Sequence, residues 1–205
     1  MEKEIRTFNF EVRAEQNEEH GHFLSGRPIV FDTETDMGWY SETIDRNALA
    51  ETDLRDVRFL VNHNTDMIPL ARSRNNNANS TMQMIIMDEG MDIRVDLDTE
   101  NNADARSLYS AVERGDITGM SFMFSVNNDE WQDIDSEHPK RTILSITRVY
   151  EVSAVTWPAY EATSISTRGL SDALDSARTS LESAKAAKRE IERKKQKIRI
   201  LTEVL

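Results

Sequence analysis

Period-two alternation of apolar with other side chains, punctuated by turn residues, recurs through residues 1–165 and then stops. From Leu170 to Leu205 there is neither Gly nor Pro. Strand side chains point alternately to opposite faces, so the first pattern commits the chain to sheets with one apolar face. The second commits its end to a helix. The clearest strand is residues 117–126, ITGMSFMFSV, where Met120, Phe122, Phe124 and Val126 share one face. Ile117, Gly119, Ser121, Met123 and Ser125 share the other. A serine thus stands at the centre of a strand otherwise suited to a core.

Further strands are expected over 7–13, 23–31, 38–44 and 57–63. Residues 81–98 read as a hairpin turning at Asp88-Glu89-Gly90, and 142–157 as a long strand ended by Pro158. A helix is expected over 46–54 with Asp45 as its cap. A stronger one covers 101–115, with Ala105, Leu108, Ala111 and Val112 on one face and Gly115 as its stop. Residues 131–141 read as a polar loop. The fold class this predicts is α+β, mostly β: an antiparallel, barrel-like sheet with a few surrounding helices and a C-terminal amphipathic helix.

The tail carries a heptad stripe through Leu170, Ala177, Ala184, Ile191, Ile198 and Leu205, with Leu174 and Leu181 beside it before the companion positions turn polar. Such a helix needs a partner, and none is evident within the barrel. Residues 163–169, TSISTRG, have the composition of an exposed linker, with Gly169 at the junction. Residues 171–205 carry nine Lys/Arg against six Asp/Glu, a net of +3, which leaves −15 on residues 1–170 of a chain with formal charge −12.

An acidic body argues against a surface that tracks nucleic-acid phosphates. No apolar run is long enough to span a bilayer, and the acidic start MEKEIRTFNF lacks a signal-peptide core. The chain has no cysteine, hence no disulfide, thiol nucleophile or Cys-based zinc site. No nucleotide loop and no metal cluster is apparent, so no cofactor is expected. The reading is of an intracellular protein.

Of four histidines, His20 and His22 sit in a polar turn and His138 in the polar loop, all read as surface side chains. His63 ends the apolar strand RFLVNH, where a scaffold presents functional groups; a structural polar histidine remains the competing reading. Glu151 lies within the apolar run RVYEVSAV, where a carboxylate must be paired or reach water. Ser121, His63 and Glu151 match the parts of a nucleophile, its base and a base-orienting group, although spacing alone does not bring them together.

Four blocks in order resemble the prohead maturation proteases of tailed bacteriophages with the HK97-type capsid, a family distantly similar to the herpesvirus assemblin protease. They are GRPIVF…GWYSETIDRNAL, FLVNHNTDMIPLAR, DARSLYSAVERGDITGMSFMFSV and VYEVSAVTWPAYEAT, and the resemblance covers roughly residues 5–168. It implies Ser121 as nucleophile, His63 as base and Glu151 as the third member, with backbone N–H groups of Trp157–Ala162 contributing to an oxyanion hole. The pattern departs from the family at Asn64, Ala71 and Met123.

The resemblance implies a serine endopeptidase that cleaves phage capsid or scaffold segments, and itself, inside the immature prohead in the host cytoplasm. Residues 1–168 would form the protease domain and 169–205 a docking tail removed by self-cleavage. A homo-oligomer is compatible with this; nucleic acid and membrane are not expected partners. Two alternatives stand beside it: a catalytically silent capsid-assembly or scaffolding protein, and an unrelated β-barrel binding module.

Overall fold

A computed structural model of the chain describes residues 3–8, 12–156 and 168–203. Two long strands, β10 (Gly119–Gln132) and β11 (Lys140–Val155), form its spine as an antiparallel hairpin. The expected loop at 131–141 is therefore shorter: both strands run into it, and only residues 133–139 connect them. β1 (Glu4–Phe8) adds antiparallel to the outer edge of β10.

The opposite edge of β11 is shared. Its first residues pair in parallel with β5 (Ser41–Ile44), which in turn pairs with β4 (Thr35–Asp36). Its last residues pair in parallel with β6 (Asp56–Val61), which is backed by β7 (Ala71–Arg74). This seven-stranded sheet is thus mixed, not wholly antiparallel. A second, four-stranded sheet is antiparallel, ordered β2 (Arg13–Asn17), β3 (Gly21–Val30), β9 (Gly90–Asp96), β8 (Met82–Met87). Among the described residues both sheets stay open, and no closed barrel forms.

The alternation read in the sequence sets which face is dry. Met120, Phe122 and Phe124 have no exposure and join one core with Val57, Phe59, Leu24, Ile93, Val95, Val152 and Ala154 from both sheets. The rings of Phe122 and Phe124 stack with centroids 4.6 Å apart. Truncating either ring costs about 3–5 kcal/mol. The hairpin β8–β9 forms where expected. Gly90 is required there, because a Cβ would stand 2.0 Å from the Ile29 carbonyl oxygen.

Helix α1 (Ala103–Glu113) is capped by Asn102, whose side chain accepts from the Asp104 and Ala105 N–H groups. A cap of this kind contributes about 1 kcal/mol. The helix buries Ala105, Leu108 and Val112 and stops before Gly115 at φ 77°. The helix expected over 46–54 is absent. Hydrogen bonds from Ala48, Ala50 and Thr52 N–H to carbonyls three residues back make successive turns, and Asp45 accepts the Asn47 N–H as a turn residue. The strand expected over 7–13 falls partly on residues outside the described set, with β1 ending at Phe8 and β2 starting at Arg13.

The tail forms α2 (Arg168–Glu203), and the first half of its stripe has a partner in the body. Leu174, Ala177, Leu181 and Ala184 pack on Met37, Trp39, Tyr40, Trp131 and Ile134. This corrects the expectation of an unpartnered helix. The signal was non-local: the aromatic residues it covers lie over forty residues away. Beyond Lys188, which pairs with Asp135 at 2.7 Å, Ile191 is 54% exposed.

Beneath the helix lies a buried ionic cluster that the pattern of strands did not reveal. Arg6 and Arg141, each 2% exposed, share the carboxylates of Glu4 and Glu42, and Arg141 also holds Asp129 at 2.6 Å. Ser176 and Ser180 of α2 donate to Glu4 and Asp129. Burial raises the Glu4 carboxyl, but the Arg141 hydrogen bond and the charges of Arg6 and Arg141 outweigh it and hold the pKa at about 2.

Candidate active site

Strand β11 lies between β6 and β10; Glu151 is on β11, Ser121 on β10, and His63 follows β6. Glu151 and Ser153 are two apart on β11 and so share a face. Opposite them on β10 stand Met123 and Ser121; beside them on β6 stand Arg58 and Leu60. The neighbouring Val152 and Ala154 belong to the main core. The serine-bearing face is therefore the other side of the sheet, as the alternation in 117–126 implied.

His63 lies just past the end of β6. The chain turns through two successive left-handed residues, Asn62 at φ 51° and His63 at φ 55°. Side chains with a Cβ adopt this conformation at a cost, and asparagine and histidine tolerate it better than most. Hydrogen bonds tie the corner to β11 and to Thr156 just past its end. Asn62 N–H donates to the Ala154 carbonyl at 2.9 Å, and Asn62 Oδ1 accepts the Thr156 N–H at 3.0 Å. His63 N–H donates to Ser153 Oγ at 3.1 Å.

The corner turns the imidazole toward the sheet. Nδ1 lies 2.6 Å from Glu151 Oε1. Glu151 is 2% exposed, and its other oxygen accepts the Ser153 hydroxyl at 2.5 Å. A carboxylate buried in this way has both oxygens satisfied, as burial requires. Facing an ionised carboxylate, Nδ1 carries the hydrogen and Nε2 presents its lone pair; the tautomer is assigned from the partner. Nε2 is buried and has no hydrogen-bond partner among the described residues. A base whose orienting hydrogen bond is made and whose reactive nitrogen is bare is chemically ready to take a proton.

Ser121 is fully buried and directly opposite Ser153 across the ladder. Its Oγ donates to the Arg6 carbonyl of β1 at 2.7 Å. Thus the structure brings His63 and Glu151 into contact, and sets Ser121 one strand from Glu151 with its hydroxyl turned to β1. Ser125, four residues further along the strand and on the same face, sits opposite Arg148, with the Tyr150 hydroxyl 3.4 Å away. Gly119 pairs with Val155 in a regular part of the ladder, and the first irregularity comes after Met123, so no bulge explains that glycine.

A model of the caudovirus prohead serine protease family matches residues 8–176. The chain belongs to this family. The match spans the β-rich body, both strands carrying the serine and the glutamate, and the start of α2. No curated protein matches the chain significantly. Among solved structures it is similar to the bacteriophage T4 capsid assembly protease, with 12% identity over 75% of this chain and 99% of that one and a TM-score of 0.37. At that score the superposition is loose.

Sequence reasoning missed Ser153 and Asn62. The signal for Ser153 was its position two residues after Glu151, which in a strand means the same face. Asn62 carried none, because its role appears only once Thr156 is alongside. The segment Trp157–Ala162, expected to contribute to an oxyanion hole, lies outside the described residues. Among the described residues, no group of three His, Cys, Asp or Glu side chains is placed to hold a metal, and no helix is long and apolar enough to cross a membrane.

Proposed function

We propose that this prohead serine protease is an endopeptidase of the Ser-His-Glu type, with Ser121 as nucleophile, His63 as general base and Glu151 as the group that orients and stabilises the imidazolium. The observation that carries the reading is the buried His63 Nδ1 to Glu151 contact at 2.6 Å with Nε2 left bare. In the reaction, the Ser121 hydroxyl leaves the Arg6 carbonyl and gives its proton to Nε2 as Oγ attacks the scissile carbonyl. The tetrahedral adduct collapses when Nε2–H protonates the leaving amine. Water then repeats the sequence on the acyl-enzyme, with His63 again the base. Backbone N–H groups of 157–162 would receive the oxyanion.

The substrates would be capsid or scaffold protein segments, and the chain itself, inside the immature shell in the host cytoplasm. Residues 1–168 would be the protease and 169–205 the tail. The docked half of α2 anchors the tail to the body, while the basic, exposed residues 186–197 offer positive charge to an acidic partner segment. Cleavage between the body and α2 would release the helix. A second reading has a specific support: the Ser121 hydroxyl donates to the Arg6 carbonyl and His63 Nε2 has no hydrogen-bond partner among the described residues, as suits a silent assembly factor. The two part on one experiment. A serine-reactive phosphonate should add its mass to Ser121, and co-expression with the capsid protein should yield new termini. An unlabelled serine with an intact capsid protein would establish the silent reading.

A further inference from the structure

Ser153 is the most constrained polar side chain near the site that the triad does not use. It has no exposure, and its one hydroxyl makes two contacts in opposite senses. It donates to Glu151 Oε2 at 2.5 Å and accepts the His63 N–H at 3.1 Å. A serine hydroxyl has one hydrogen and lone pairs to accept with, so both bonds form at once without competition. Each fixes a different degree of freedom. The first holds the carboxylate so that Oε1 faces Nδ1. The second ties the backbone of His63, in its left-handed corner, to the strand that carries Glu151.

We propose that Ser153 is a positioning residue for proteolysis, setting the distance and angle between His63 and Glu151 and thereby the aim of Nε2. The inference rests on the assignment of Ser121, His63 and Glu151 above. The register adds a reason for its place: Ser153 stands opposite Ser121, so the element that fixes the base is the neighbour of the nucleophile. Without the hydroxyl, Glu151 Oε2 and the His63 N–H lose their shared partner in a dry site, the carboxylate is free to rotate, and the imidazole drifts. Small misplacements of a base cost rate and leave substrate binding alone.

The test uses the full-length protein. Ser153→Ala and the near-isosteric Ser153→Cys, whose thiol is a weak donor, should each lower kcat on a soluble peptide roughly 10- to 100-fold with KM within about twofold. Ser153→Thr, which keeps the hydroxyl, should recover most of the rate. In a Ser121→Ala background that cannot cleave itself, the ¹⁵N shifts of His63 should report hydrogen on Nδ1, and Ser153→Ala should move them toward a mixture of tautomers. If Ser153→Ala and Ser153→Cys keep kcat while His63→Ala is dead, the positioning role is overturned and the triad stands. If the rate falls but the folded variants keep the His63 ¹⁵N signature, Ser153 is only structural and the proposal is again overturned. If His63→Ala and Glu151→Ala both cleave normally, the triad assignment itself fails.

Discussion

Ser121 and Ser153 face each other across the β10–β11 ladder, yet their hydroxyls serve different strands: one donates to the Arg6 carbonyl of β1, the other to Glu151 on β11. Two equivalent positions in a sheet are thereby made chemically unlike. One serine is held by a neutral backbone carbonyl. The other is bound to a buried carboxylate.

Ser121→Ala should abolish peptide cleavage and phosphonate labelling while the protein stays folded. Triad losses of this kind lower turnover by up to roughly 10⁶-fold in other serine proteases. Loss of the hydrogen bond to Arg6 should itself lower stability to urea by about 1 kcal/mol. Retained cleavage in Ser121→Ala, with Ser125→Ala inactive, would move the nucleophile four residues along the strand.

His63→Ala should be as damaging as loss of the serine, because nucleophile and base act together and their single effects do not add. Glu151→Gln should lower kcat by up to roughly 10⁴-fold, since an amide that donates to Nδ1 leaves the hydrogen on Nε2. Wild-type kcat in a folded Glu151→Gln protein would make Glu151 a structural partner.

The ionic cluster sets an acid limit. Glu4 titrates at about 2 in the fold against 4.5 ordinarily, so its ionised form is favoured by folding. Its contribution is fully present above about pH 4.5 and fades as pH falls toward 2, on the order of 3 kcal/mol in all. Urea titrations across this window should show a steep loss of stability in the wild type. Glu4→Gln should be less stable at neutral pH and show a flatter decline. Parallel curves for the two proteins would place the acid sensitivity elsewhere.

Two truncations separate the halves of α2. Removing 186–205 should leave the fold and peptide cleavage unchanged but reduce packaging into assembling shells. Removing 170–205 should also destabilise the body. It strips Leu181 and Ala177 from Tyr40 and Trp131, and Ser176 and Ser180 from the ionic cluster. Loss of a buried leucine side chain alone costs about 2–5 kcal/mol. Equal packaging of the shorter truncation and the full-length Ser121→Ala protein would refute partner docking. An intact C-terminus in active particles would refute self-removal.

Local pattern reached the site's elements further than their assembly. The dry face of β10, the β8–β9 hairpin, α1 with its glycine stop and the tail helix all rest on contacts within a few residues, and the sequence states them. The 46–54 segment had helical spacing, but the isolated Asp53–Arg148 bridge and the Thr52 hydroxyl bond to the Ile146 carbonyl hold it against β11 as turns. That competition is tertiary. Parallel pairing of β11 with both β5 and β6 left no mark in either strand, and neither did the convergence of Glu4, Arg6, Glu42 and Arg141 from three separate strands. Ser121, His63 and Glu151 were legible as residue types in odd places. That His63 touches Glu151, and that Ser153 joins them, depends on a corner of two left-handed residues that side-chain periodicity does not encode.

Trp39 and Trp131 stack 5.9 Å apart within the patch that α2 covers. Departure of the helix would wet both indoles in one step. Their emission would move to longer wavelength as water relaxes around the excited rings. The protein thus carries its own optical reporter of tail release, read without a label and on the same sample whose termini are being mapped. A red shift that precedes the appearance of cleaved termini would mean the helix lifts before it is cut. One that follows them would mean it stays seated until the chain behind it is severed.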